Sequence, residues 1–170
     1  NDRMEGACDQ YAPGGDLMIR LIYSEDELTG YQYMKSGKLT DVIAITRGDQ
    51  PVVAWYNNGQ KSYEQHFRDF VPEGEQVKYY PDGKVMQRRQ FSNGMLHGKC
   101  EKFYPDGKPE IIYYCRNGLY EGEYVKYHRS GEVKEKVQFL HDQMHGDRYM
   151  YDEKGNKLSY QDFPEVHRNL

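Results

Sequence analysis

The sequence is poor in aliphatic bulk. Leu, Ile, Val and Phe together supply only 31 of its 170 residues, a share at which many chains cannot bury enough surface to fold. No run approaches the ~20 apolar residues that a membrane-spanning helix needs. Positive charge is not in excess either. The formal net charge is -4, which speaks against an electrostatic nucleic-acid binder. Cysteine is scarce: Cys8, Cys100 and Cys115 are the three, and none sits in a CxxC pair, so zinc-ribbon and thioredoxin-like readings fail. What the chain does have is 17 Tyr and 17 Gly. Tyr can build a fold that aliphatics cannot, since each ring buries an apolar body and keeps its polar tip near water. The mean hydropathy of -1.01 then points to a thin, extended, well-solvated structure.

Charge is uneven. Residues 1–58 carry 9 acidic and 5 basic side chains, whereas residues 59–170 carry 18 of each. The acidic excess is densest at Glu25, Asp26 and Glu27, a solvated turn or an acidic landing patch for a basic partner. The sequence opens on Asn1 rather than Met. A cleaved secretion signal is expected upstream, which would place the protein in the periplasm or otherwise outside the cytoplasm; a cytoplasmic location is the alternative.

A repeat organises the chain. Gly59, Gly83, Gly107, Gly131 and Gly155 follow one another at steps of 24 residues, and Gly74, Gly98, Gly122 and Gly146 keep the same step. Phe67, Phe91, Phe139 and Phe163 form an aromatic column broken only by Cys115, and Tyr79, Phe103, Tyr127 and Tyr151 form a second. Each period holds a turn such as Pro81-Asp82-Gly83-Lys84, a strand, a second turn such as Ser92-Asn93-Gly94, and a returning strand. Pro suits the early turn position and Gly the positive φ that ends it. Two strands and two turns per 24 residues make each unit a β-hairpin. Gly and Pro recur too often for long helices.

The expected fold is all-β: an elongated, twisted single antiparallel sheet of about six tandem hairpins. Its limits are an N-terminal extension at residues 1–15, an array over 16–163 that is degenerate before 59, and a tail at 164–170. Atypical end units are expected to cap the stack.

Three segments carry a resemblance: Phe91 to Gly107, Tyr114 to Gly131, and Phe139 to Gly155, the last with Asp142 in place of the first glycine. The first reads as an aromatic, then NG, then HG, then an aromatic pair before DG, and the other two are copies of it. This pattern resembles the variant MORN repeat, over about residues 59–158. The resemblance implies a single twisted sheet used as a scaffold or protein-binding module, in some cases touching phospholipid. It is similar to the repeat of YwqK-type bacterial antitoxins and of effector-immunity proteins. The function so implied is stoichiometric neutralisation of a cognate toxin or effector enzyme. A scaffold that recruits proteins or docks on phospholipid is the alternative.

Strand alternation suggests where binding residues lie. With the aromatic columns turned inward as core, the other face of each second strand would carry Lys78 with Tyr80, Lys102 with Tyr104, and Lys126 with His128. These six, with Glu25, Asp26 and Glu27, are the candidate partner-binding residues. Membrane contact is disfavoured by the net negative charge, and exposed sheet edges leave a homodimer open.

The sequence offers no catalytic constellation and calls for no cofactor. His97, Glu121 and His145 recur at one repeat position, but equivalent residues two strands apart stand ~9.5 Å from each other, too far for one metal ion. No GxSxG or GxGxxG occurs. The protein is therefore expected not to be an enzyme. Cys115 falls in the aromatic column, where a thiol is inert, and Cys100 and Cys115 flank one turn on the same face, close enough for a disulfide to be considered.

Overall fold

The computed structural model describes the backbone of residues 4–163 and the side chains of residues 4–158. The tail 164–170 and the Phe163 side chain lie outside the described residues. The described chain holds no helix; it is built of antiparallel strands joined by hairpins, in open sheets. It divides into two compact units, residues 1–85 and 86–170.

The first unit contains β1 (Gly6–Tyr11), β2 (Leu17–Ser24), β3 (Glu27–Gln32), β4 (Met34–Lys35), β5 (Lys38–Leu39), β6 (Ile43–Ala44), β7 (Asp49–Trp55), β8 (Lys61–Arg68) and β9 (Val71–Tyr79). A four-stranded sheet runs in the order β1-β2-β3-β6, β4 and β5 make a small hairpin, and β7-β8-β9 form a meander. Strand β2 lies against β7 and β8. Met18, Ile19, Leu21, Val52, Ala54, Tyr63 and Phe67 are buried there. The Ser62 hydroxyl, fully buried, donates to the Met18 carbonyl at 2.6 Å and so satisfies a polar group that burial would otherwise orphan.

Two expectations change here. Residues 1–15 are no mere extension, because β1 pairs with β2 from Gly6↔Tyr23 to Tyr11↔Leu17. The N-terminal hairpins also form a sheet separate from β7-β8-β9, so the array is not one sheet throughout. The physical reason is composition: β2 buries Ile19 and Leu21 on one face and Met18 on the other, enough apolar surface to pack on another sheet.

The second unit contains β10 (Val85–Ser92, from its second residue), β11 (Met95–Leu96), β12 (Gly98–Phe103), β13 (Pro109–Arg116), β14 (Leu119–Tyr120), β15 (Gly122–Tyr127), β16 (Val133–Leu140), β17 (Gln143–Tyr151) and β18 (Lys157–Phe163). Its ladder order is β10-β12-β13-β15-β16-β17-β18, with β11 on β10 and β14 on β13.

Turn chemistry explains the period. At the Pro-Asp-Gly turns the residue before the turn pairs both its backbone groups. Tyr104 N donates to Lys108 O at 2.8 Å, and Gly107 N donates to Tyr104 O at 2.8 Å. Gly107 has φ 90, the left-handed value that only glycine holds without strain. The Asp106 carboxylate caps the turn by accepting from Lys108 N at 3.0 Å. The same paired bonds close the turns that start at Tyr56, Tyr80, His128 and Asp152, and also one at Ala12. The intervening two-residue turns have both central residues at positive φ, as in Asn93-Gly94 and Asn117-Gly118, which matches the twist of the flanking strands.

Candidate protein-interaction face

Register places the side chains. Directly opposed residues of an antiparallel pair share a face. Cys100 opposes Tyr113, Lys102 opposes Ile111, and Ile111 opposes Lys126. Gly122 opposes Phe139, Tyr124 opposes Val137, and Cys115 opposes Tyr120. One face of the second unit therefore gathers Cys100, Tyr113, Cys115, Tyr120, Tyr124 and Phe139. Lys102 and Lys126 lie on that same face, at its end.

The rings on this face form one cluster. Tyr113–Tyr120 and Tyr120–Phe139 centroids are 5.2 Å apart, Tyr124–Phe139 are 5.8 Å apart, and Tyr124 stands 6.3 Å from both Tyr113 and Tyr120. These spacings fall in the range of favourable ring pairs. The cluster is not sealed: Tyr120 is 37% exposed, and Met144, opposite Phe139, is likewise 37% exposed. Burial raises the hydroxyl pKa of Tyr113, Tyr120 and Tyr124, so all three stay neutral donors at physiological pH.

A charged row borders the rings at one end of the face. Lys102 Nζ meets the Glu110 carboxylate at 3.0 Å. Arg148 meets Glu135 Oε1 through Nη2 at 2.6 Å and Nε at 2.8 Å. The Lys102–Glu110 pair exists because the register slips between Lys102 and Phe103, a bulge that re-aims side chains at the turn.

The structure corrects the expected Lys-and-aromatic stripe. Lys78, Tyr80, Lys102, Tyr104, Lys126 and His128 do not make a solvated face opposite the aromatic column. Lys78 opposes the buried Tyr63. Tyr80 is only 8% exposed. The Tyr104 hydroxyl donates to the Tyr127 carbonyl at 2.8 Å, and His128 Nε2 lies 2.8 Å from the Tyr151 carbonyl. The Tyr56 hydroxyl does the same to the Tyr79 carbonyl at 2.6 Å. Tyr56, Tyr104 and His128 thus each tie a turn to the strand end 23 residues further on. The cause is the turn itself: the residue that opens it points its side chain along the sheet rather than out of it. The aromatic column turns out half-exposed, since Phe91 and Phe139 keep intermediate exposure while Phe67 is buried.

Other candidates are placed as follows. Glu25, Asp26 and Glu27 are exposed at the β2–β3 turn, and Asp26 Oδ1 accepts from Met4 N at 2.6 Å. His97 Nδ1 lies 3.2 Å from Asn117 Oδ1, and the Glu121 carboxylate accepts from His141 N at 3.3 Å. Among the described residues no group of three His, Cys, Asp or Glu side chains converges to hold a metal ion. Cys100 and Cys115 are buried free thiols on diagonal rather than directly opposed positions, and Cys8 is exposed.

The first unit has a groove that sequence reasoning missed. It measures about 440 Å³ and is lined by Tyr33, Lys35, Trp55, Asn57 and Asn58 among others. The Tyr33 and Trp55 rings stand 5.1 Å apart. Trp55, the only tryptophan of the chain, was the available signal: it stands 24 residues before Tyr79, in step with the second aromatic column.

The family model described as the MORN repeat variant matches residues 72–93, 96–115 and 120–141. The last two stretches hold every ring of the cluster. No curated protein matches the chain. Variant MORN repeats suggest a repeat scaffold for interaction with proteins or membranes.

Proposed function

We propose that this protein is a stoichiometric protein-binding module that docks a partner on the aromatic face of its second unit and acts without turnover. In its finer form the partner is a toxin or secreted effector enzyme, and binding blocks the enzyme's active site or substrate path. The observation that carries the reading is the half-exposed cluster Tyr113, Tyr120, Tyr124 and Phe139 with its charged border. Half-exposed aromatic clusters bordered by polar pairs are common anchors of binding interfaces. A protein partner is favoured over an acidic membrane because Lys102 and Arg148 are already matched by Glu110 and Glu135.

The test compares the intact chain with its Tyr120→Asp variant as bait in cells of origin, with native mass of the captured complexes. One dominant 1:1 protein partner, lost with the variant and inhibited by the wild-type chain, supports the immunity form. A 1:1 partner whose activity is untouched leaves a scaffold. Equal capture by both baits removes the aromatic face from the interface.

A further inference from the structure

The first unit holds a second, half-open cavity, of about 260 Å³, between the β1-β2-β3 strands and the β8–β9 hairpin. Small-molecule sites usually measure about 300–1,000 Å³, so this one is the size of a side chain rather than of a cofactor. Its walls include four rings, Tyr23, Tyr63, Phe67 and Phe70, with the Asp26 carboxylate and the Gln10 amide. None of the described lining side chains is Lys, Arg or His.

One feature of this cavity calls for a donor: Gln10 Oε1 is buried without a hydrogen-bond partner. Buried carbonyl oxygens are rarely left unpaired. Asp26 and Phe70, which bring a carboxylate and a ring to the wall, sit at the second positions of the two hairpin turns that border it.

The chemistry selects a cation. Ring faces attract a guanidinium or ammonium group. Asp26 adds a full negative charge, and Glu25 and Glu27 stand exposed on either side of it. The nearby Arg20 is no competitor, because it is engaged by Asp9 at 2.6 and 2.8 Å. Between the two common cations, the flat guanidinium fits better. It stacks between rings while its several N–H groups reach a carbonyl and a carboxylate at once.

We propose that this cavity receives one arginine side chain of the partner protein, its guanidinium stacked among Tyr23, Phe67 and Phe70 and hydrogen-bonded to Gln10 Oε1 and Asp26. The proposal rests on the protein-binding reading above. It adds a second anchor, with its own chemistry, in the acidic half of the chain.

The test titrates the intact chain with N-acetyl-arginine methylamide and, separately, with the citrulline analogue, which has nearly the same shape without the charge. Amide and side-chain NMR shifts of Gln10, Asp26 and Phe70 report occupancy. Expected are saturable arginine shifts at these residues, at least tenfold weaker affinity for citrulline, and several-fold weakening in Asp26→Asn. That variant keeps an acceptor for Met4 N and suits the left-handed turn, so it should fold; the arginine–citrulline contrast needs no variant at all. Equal affinity for the two ligands, or shifts that avoid the cavity, overturns the proposal. A 1:1 partner complex indifferent to excess arginine analogue also overturns it while leaving the protein-binding reading intact. Arginine binding in the cavity with no protein partner captured does the reverse.

Discussion

The Tyr104 hydroxyl and the Tyr127 carbonyl, 23 residues apart, are joined by a 2.8 Å hydrogen bond that ties one repeat to the next. Tyr56 reaches the Tyr79 carbonyl and His128 the Tyr151 carbonyl across the same separation. In a sheet with so little aliphatic burial, such links do part of the work that a core does elsewhere. Tyr104→Phe keeps the ring and removes the donor, leaving a partly buried carbonyl unsatisfied. It should lower unfolding stability by about 1 kcal/mol, read from the midpoint of urea denaturation with the slope unchanged. A change below the error of that measurement would mean that water replaces the hydroxyl without loss.

Glu25 sits at φ 52 in a turn where the corresponding positions, Asn93 and Asn117, have φ 49 and 50. Asparagine tolerates that conformation far better than glutamate. Glu25 is also followed by Asp26 and Glu27, and the Glu5 carboxylate accepts its backbone N–H at 2.9 Å. Glu25→Asn therefore removes strain and like-charge repulsion together while keeping the backbone bond to Glu5. A gain of about 0.5–1 kcal/mol is expected, seen as a rise of a few degrees in Tm. Its absence would show that the turn is already relaxed in the native chain.

The repeat was the legible part of this sequence. Gly107 and its equivalents announce their turns because no other residue holds φ 90 cheaply, and the 24-residue step follows from them. Less was legible about faces. Alternation alone put Lys102 opposite the aromatic columns, but the slip at Lys102/Phe103 and the ladder register set it beside Ile111 instead. Side-chain reach was also invisible: nothing in the sequence says that the Tyr104 hydroxyl points at a backbone carbonyl. The turn at Ala12, with Pro13, Gly14 and Gly15, uses the same bonds as the later turns. It falls outside the 24-residue series, so β1 passed for an extension.

The two ion pairs on β16 should behave differently. Arg148 and Glu135 are 28% and 16% exposed and meet through two guanidinium nitrogens. Lys136 and Glu123 are 46% and 40% exposed. Half-exposed lysine pairs contribute little, whereas a forked arginine contact in lower dielectric contributes more. Arg148→Met should cost about 1–2 kcal/mol by chemical denaturation, and Lys136→Met less than about 0.5 kcal/mol. Equal losses would refute the distinction by burial and geometry.

Thiol chemistry provides a test of the sheet's alkaline limit. Burial, with Cys100 alongside, pushes the Cys115 thiol up to about 11, whereas an unfolded chain titrates near the ordinary value of ~8.5. As pH rises past that value the unfolded state sheds its proton first, so it binds fewer protons than the fold and gains on it. Stability should be flat with respect to this group below about pH 8.5 and fall by an amount on the order of 2–3 kcal/mol as pH approaches 11. Buried Tyr56, pushed up to about 12, and Tyr113, also raised, extend the decline to higher pH. Cys115→Val removes the first of these groups and should flatten the stability profile between about pH 9 and 11. The same burial predicts two classes of thiol in the native protein: Cys8 reacting promptly with a disulfide reagent at neutral pH, and Cys100 and Cys115, 0% and 6% exposed, reacting only as the sheet opens. Three equally fast thiols, or an unchanged profile in Cys115→Val, would mean that the hairpin between β12 and β13 opens far more readily than its packing implies.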